Sequence, residues 1–268
     1  MNQRKKKDLN ITIHYKYDPT AVEVFRKHLS HLTDHDEASI EYLMSYFADI
    51  IQNPSKPPGI AILIKSPQGY GKDMTIDIVE KMISSAYLCR TEDIKDVLGS
   101  FNTPIKDKII CVINELQGKD GWEYKDKLKG IITSNTLNIN EKGIKHYKQS
   151  NNLRFFIFSN RMNPIEISQD DRRFVVFKSS FRKPKPEYFN ELGKLITNKD
   201  KLYTLYNHLK HYQIKINLRQ NRPKTKAHET MRVANISSLY RFVNHLFINN
   251  TMDEYFKKHK NEYRNHKA

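Results

Sequence analysis

The chain has 268 residues, with 46 Lys and Arg against 30 Asp and Glu, a formal net charge of +16. Hydrophobic residues make up 38% and aromatics 11%, with only 9 Gly and 10 Pro, which excludes a disordered or fibrous chain. So large a cationic excess selects a polyanionic partner such as nucleic acid; the plainer alternative is a generally basic, well-solvated surface.

Only Cys89 and Cys111 are present. Two unclustered cysteines make neither a zinc site nor a disulfide framework, and they fit a reducing interior. Cys111 lies in an apolar run and reads as a small buried hydrophobe. No apolar segment approaches the ~20 residues that span a bilayer. The basic N-terminus MNQRKKKDL has no apolar stretch behind it, so it is not a secretory signal. These features predict a soluble intracellular protein without a membrane partner.

In chain order, Val22, Phe25, Leu29 and Leu32 recur at helical spacing, and so do Ile40, Leu43, Met44, Phe47, Ile50 and Ile51. Asp34 and Asp36 stand between as caps. His31 and His35 lack a third ligand and read as surface or capping residues. The breaker cluster 53–59 precedes an apolar strand, Ile60–Ile64. Then come the polar loop Ser66-Pro67-Gln68-Gly69-Tyr70-Gly71, Lys72, and an amphipathic helix carrying Met74, Ile78, Val79 and Met82. Residues 91–98 predict a helix. Ile109–Ile113 predicts a second buried strand ending in Asn114-Glu115, and residues 122–132 a helix. Residues 136–149 alternate around Gly143, as a hairpin does. Leu153–Phe158 predicts a third strand ending in Ser159-Asn160, and Phe174–Phe177 a fourth, preceded by Asp170-Asp171 and Arg172-Arg173. Two helices follow over 187–212, then a basic linker 219–226, a last apolar helix 236–247 and a polar tail. Buried strands that end in polar residues, with helices between, predict a parallel α/β sheet with its site at the strand C-termini.

Strand, glycine loop, lysine and helix together form a phosphate cradle. Glycines let successive N–H groups point inward, the helix N-terminus adds partial positive charge, and the lysine reaches the outer phosphates. Ser66 stands where the usual pattern has its first glycine, and Asp73 where a hydroxyl normally holds magnesium. A carboxylate at Glu115 can align water or hold magnesium, the Asn160 amide can orient the attacking water, and an arginine can stabilise transition-state charge. Each has a plainer reading: a chance Gly-Lys turn, an Asn that closes a turn, arginines paired with Asp170 and Asp171.

The ordered stretches GYGKD, IICVINE, FFIFSN and DRRFVVF resemble superfamily 3 helicases, the AAA+-related hexameric motors of DNA viruses and mobile elements. The likeness is greatest to the helicase half of poxvirus-type and giant-virus primase–helicases and related phage primase–polymerases. Supporting stretches are Phe101-Asn102, LKGIITSNTLNINEKG and RQNRPKTKAHETM. The resemblance implies a P-loop NTPase of AAA+-like type: a basic tail and helical collar over 1–55, an ATPase core over 56–182, and a helical region with polar tail over 183–268. It implies ATP and Mg2+ as cofactors. Gln68, Gly69, Tyr70, Gly71, Lys72, Asp73 and Met74 would bind nucleotide, and Asp73 and Glu115 the metal. Lys72, Glu115 and Asn160 would be catalytic, with Arg173 or Arg172 the finger that reaches a neighbouring subunit of a homo-oligomer, in the family a hexamer. Lys142, Lys145, His146 and Lys148 would lie on a DNA-gripping hairpin, tracking the phosphate backbone without reading bases; a solvated hairpin is the plainer alternative.

The implied function is an ATP-dependent replicative DNA helicase that translocates on single-stranded DNA and unwinds duplex DNA. In a viral setting it would work in host cytoplasm or a replication compartment. A chain that begins almost at the collar implies a primase on a separate chain, or an excised segment. Asn114 replaces the family's usual aspartate, so Asp73 is expected to restore the missing charge; the rival is a catalytically weak replication initiator or scaffold. A small-molecule kinase, the third class, needs neither the arginine pair nor a basic hairpin.

Overall fold

The computed structural model describes residues 15–116, 121, 123–168 and 170–234. Expectations for the N-terminal tail, Trp122, the 236–247 helix and the polar tail lie outside them.

Helix α1 (Thr20–Leu32) buries Phe25, Leu29 and Leu32. Helix α2 (Glu37–Gln52) begins where the Asp36 carboxylate accepts a hydrogen bond from Ser39 N, satisfying one of the orphan N–H groups of a helix start. Strand β1 (Ala61–Lys65) leads into α3 (Lys72–Ile83). Next come β2 (Leu88–Thr91), the short helix α4 (Lys95–Leu98), β3 (Ile110–Ile113) and α5 (Lys125–Thr133). A hairpin of β4 (Thr136–Ile139) and β5 (Tyr147–Ser150) precedes β6 (Arg154–Ser159) and β7 (Phe174–Lys178). Helices α6 (Pro186–Thr197), α7 (Lys199–His211) and α8 (Lys226–Ala234) follow.

The main sheet has the order β2-β3-β6-β1-β7, with every pairing parallel. A parallel sheet is covered on both faces, which is why β1, β3, β6 and β7 read as near-continuous apolar runs. Alternate residues enter different clusters. Ile60, Ile62, Ile64, Val112, Phe156 and Phe158 pack with α1, α2 and α3. Ala61, Leu63, Cys111, Ile113, Phe155 and Ile157 pack with α5, the hairpin and α8.

Two expectations need correction. Residues 88–91 are a fifth parallel strand, and only Lys95–Leu98 of the expected 91–98 helix is helical. LCRT has too few apolar side chains to register as a strand, although Leu88 and Cys89 bury into the clusters on opposite faces of the sheet. The expected basic linker ends at Lys226, which opens α8; Ala227 and Met231 are buried there. Both cysteines are buried and free, and they are register partners across β2 and β3.

The hairpin is tied to the chain before β3 by Asn102. Its side-chain Oδ1 accepts from Asn140 N at 2.8 Å, its Nδ2 donates to Asn138 O at 2.9 Å, and its backbone N donates to Asn140 O at 3.2 Å. Replacing Asn102 with Ala removes the acceptor for Asn140 N–H. Hydrogen exchange at that amide should quicken by up to about tenfold, since one such bond is worth about 0.5–1.5 kcal/mol. Unchanged protection would show that the hairpin stands without the clamp.

Candidate functional site

The register puts Leu63, Ile157 and Ile113 in one row across β1, β6 and β3. Residues just beyond that row therefore meet at the C-terminal edge of the sheet: Lys65 and Ser66 after β1, Ser159 and Asn160 at the end of β6, Asn114 and Glu115 after β3. Crevices at the carboxyl ends of parallel strands are where such sheets place ligands.

The turn between β1 and α3 is built for close backbone approach. Gly69 and Gly71 have φ of +77° and +88°, values that L side chains rarely adopt. A Cβ on Gly71 would meet ring carbons of Phe189, His28 and Tyr188 at 3.4–3.8 Å. Ser66 is buried and its N–H donates to Ser159 O at 3.0 Å, which locks the turn to β6. Pro67, Gln68 and Gly69 are exposed; Tyr70, Gly71, Asp73 and Met74 are half-buried.

Lys72 opens α3 with its side chain only 7% exposed. Its Nζ lies 3.4 Å from Glu115 Oε1 and 4.0 Å from Asp73 Oδ2. Glu115 has a φ of +52°. For a residue other than glycine this conformation costs about 1–3 kcal/mol, and such strain gathers at functional sites. Here it accompanies a carboxylate directed back at Lys72. Asn114 donates its backbone N–H to Thr91 O, while its side-chain Oδ1 is buried with no hydrogen-bond partner. Asn160 is exposed at the end of β6.

Arg172 and Arg173 stand elsewhere. Arg173 O accepts from Ala61 N, so both arginines lie at the N-terminal edge, with the full length of β1 between them and Lys72. At ~3.3 Å per residue that separation exceeds a side chain's reach. Asp171 meets the backbone rather than a guanidinium: its Oδ2 accepts from the N–H groups of Arg173 and Phe174 at 3.1 and 2.9 Å. Lys142, Lys145, His146 and Lys148 are all exposed on the hairpin and its tip. Lys106 bonds Glu141 at 2.9 Å, and Tyr147 donates to the same carboxylate at 2.6 Å, which ties down the turn end of the hairpin.

A polar network behind Gly71 has no precedent in the sequence patterns. His28 is wholly buried, its ring nitrogens paired with Tyr188 Oη at 2.5 Å and Thr75 Oγ1 at 2.7 Å. His31 is buried rather than on the surface, its ring stacked on Tyr70 at 5.8 Å. The available signal was a pair of histidines beside the apolar stripe Phe25-Leu29-Leu32. Their partners lie up to 160 residues away.

Burial pushes His28 down to about 3, with the nearby His31 adding to the effect. A neutral folded histidine that protonates once unfolded stabilises fully only above about pH 6.5, and that stability is lost as pH falls from there towards 3. Burial shifts His31 and His228 in the same direction. Urea unfolding should therefore show stability falling by about 1.4 kcal/mol or more per pH unit below pH 6. A flat profile between pH 7 and 5 would show that His28 is not held neutral.

Among the described residues, no cluster of three or more His, Cys, Asp or Glu side chains is placed to hold a metal ion. No helix there is long and apolar enough to cross a membrane.

Residues 64–173 match a family of unknown function (DUF5906). The chain is homologous to the DNA primase-polymerase of Nitratiruptor phage NrS-1, with 30% identity over 159 residues. The aligned part is 58% of this chain and 22% of that protein, so the chain corresponds to about a fifth of its relative's length. The apo structure of the NrS-1 C-terminal region shares the fold: the TM-score is 0.72 at 22% identity, covering 91% of this chain and 62% of that one. A second apo form gives 0.69 at 23% identity.

Proposed function

We propose that the chain is an ATP-driven motor of the superfamily 3 helicase type, with an AAA+-like P-loop core over 56–182 flanked by helical regions over 1–55 and 183–268. It would translocate on single-stranded DNA and unwind duplex DNA in viral or mobile-element replication. The observation that carries the reading is the approach of Lys72 Nζ to Glu115 Oε1 at 3.4 Å, in one crevice between the ends of β1 and β3.

The residues fit a magnesium-bound triphosphate. The left-handed glycines leave the turn's amides free to face an anion, and Lys72 stands at the helix start with its ammonium turned inward. Asp73 and Glu115 offer two carboxylate oxygens to a hard cation. Magnesium held by Asp73 and Glu115 would supply charge neutralisation for the transferring phosphoryl group. Lys72 grips the outer phosphates, Glu115 takes a proton from the attacking water, and Asn160 orients that water with its amide. Arg173, which cannot reach its own chain's crevice, serves a neighbouring copy's site in a ring, in the family a hexamer. Lys142, Lys145, His146 and Lys148 follow the strand's phosphates. Primer synthesis would fall to a separate primase.

The test is magnesium-dependent ATP hydrolysis with and without single-stranded DNA, with sizing alongside. DNA-stimulated turnover by a ring supports the motor; turnover indifferent to DNA sinks it. A second reading, a DNA-binding initiator or scaffold without turnover, is favoured by Asn114, whose amide brings no charge where the family has an aspartate. Asp73 bears on the choice. If it compensates for Asn114, Asp73→Ala should lower hydrolysis about 10-fold or more at limiting magnesium, the scale on which supporting ligands act. Unchanged activity would end the compensation.

A further inference from the structure

Strands β1 and β7 end on Lys65 and Lys178, and the parallel register makes these two residues direct neighbours. Lys65 continues the alternation of Ala61 and Leu63, and Lys178 that of Phe174 and Val176. Both therefore emerge on the face that carries the second apolar cluster, opposite the face packed by α3. Like charges directly opposite each other on adjacent strands destabilise a sheet. No ion pair or hydrogen bond reaches either ammonium group among the described residues. Burial and the adjacent Lys178 hold Lys65 below its ordinary value.

The two lysines line a cavity of about 590 Å3. Lys224 and Lys226, which flank Thr225 at the start of α8, line it as well. Asp34 and Asp36 also face it, and the Asp36 carboxylate is already engaged by Ser39 N. Among the described residues, four lysines thus line the cavity against two carboxylates, one of them committed. Mutual repulsion of this kind is relieved by an entering anion with several oxygens.

We propose that this cavity is a second phosphate-binding site, separate from Lys72, that takes a phosphate group of a nucleotide or of a nucleic-acid strand. Half-buried Lys65 and exposed Lys178 contribute from the sheet, and exposed Lys224 and Lys226 from the start of α8.

The test uses the full chain carrying Lys178→Gln, and Lys65→Gln with Lys178→Gln, each in wild type and in a Lys72→Ala background. The Lys72→Ala background keeps the result independent of the proposed ATP site. The probes are inorganic pyrophosphate and a labelled 20-nucleotide oligo-dT. Removing a repelling charge should raise Tm by about 2 °C, whereas lysines with a merely structural role would lower it. Affinity for at least one probe should fall about tenfold. For the oligonucleotide, the slope of log affinity against log salt should shrink by about 0.7 for each phosphate no longer neutralised. A loss confined to oligo-dT identifies strand phosphate; a loss that includes pyrophosphate identifies free phosphate. Unchanged affinity for both probes overturns the site, whatever happens to Tm.

Discussion

Lys72→Ala is expected to reduce magnesium-dependent ATP hydrolysis by about 10²–10³-fold, the loss that follows removal of one preorganised charge-stabilising donor. The side chain is the only ammonium placed, among the described residues, against both Glu115 and Asp73. Its removal should leave folding intact, because Lys72 contributes no hydrogen bond to the core. The stability readout is therefore informative: a melting temperature within a few degrees of wild type makes lost turnover a statement about the crevice. Glu115→Gln should also stop turnover but retain nucleotide, since the amide keeps its place beside Lys72 without taking a proton. If Lys72→Ala hydrolyses ATP like wild type, the crevice is not where phosphate is handled, and the motor reading falls with it.

That crevice was legible because its parts sit at the ends of runs that must be buried on both faces. Ile60–Ile64, Ile109–Ile113 and, but for Arg154, Leu153–Phe158 announce themselves by continuous apolarity, and Lys72, Glu115 and Asn160 follow beyond their C-terminal ends. Strand order was not legible. β6 inserts between β1 and β3, and parallel partners lie too far apart in the chain for local pattern to reveal them. Without the order, Lys65 could not be set beside Lys178. The place of Arg173 needed only the parallel sense: a residue that precedes a strand lies at the edge opposite the one where Lys72 follows β1. β2 escaped for a different reason: it is four residues long and only Leu88 and Cys89 in it are apolar. α8 was masked by the basic run before it, because charge on its exposed face hides Ala227 and Met231 beneath.

The polar contacts behind Gly71 show a further limit of pattern reading. Periodicity marks His28 only as a polar residue beside a buried stripe. Its role depends on Thr75 and Tyr188, each on a different helix, and the packing of α1 against α3 and α6 brings them together. The consequence reaches the crevice, because the same aromatic rings close the space beside Gly71. The collar helices are thus joined physically to the turn that carries Lys72.

Arg154→Met is expected to destabilise the fold by about 3–5 kcal/mol, the cost of stranding one member of a buried ion pair. Arg154 is wholly buried at the start of β6. Its Nη2 meets Asp49 Oδ2 at 2.8 Å and Asn53 O at 2.6 Å, and its Nη1 donates to Pro54 O at 2.9 Å. The guanidinium so satisfies the C-terminal end of α2 and the turn after it, tying the N-terminal helices to the strand that ends in Asn160. Methionine fills similar volume but takes the cation from Asp49, whose Oδ2 is left without a donor while Oδ1 keeps Asn53 Nδ2, and it leaves Pro54 O unpaired. In a domain of this size the loss corresponds to a fall in Tm of about 10 °C. Arg154→Lys should lie between, since one ammonium cannot span a carboxylate and two carbonyls as a planar fork does. Asp49→Asn should be milder, because the carbonyl contacts survive. Should Arg154→Met melt within two degrees of wild type, the joint between helices and sheet must be carried by apolar packing alone, and the polar stitch would be a consequence of that packing rather than its support.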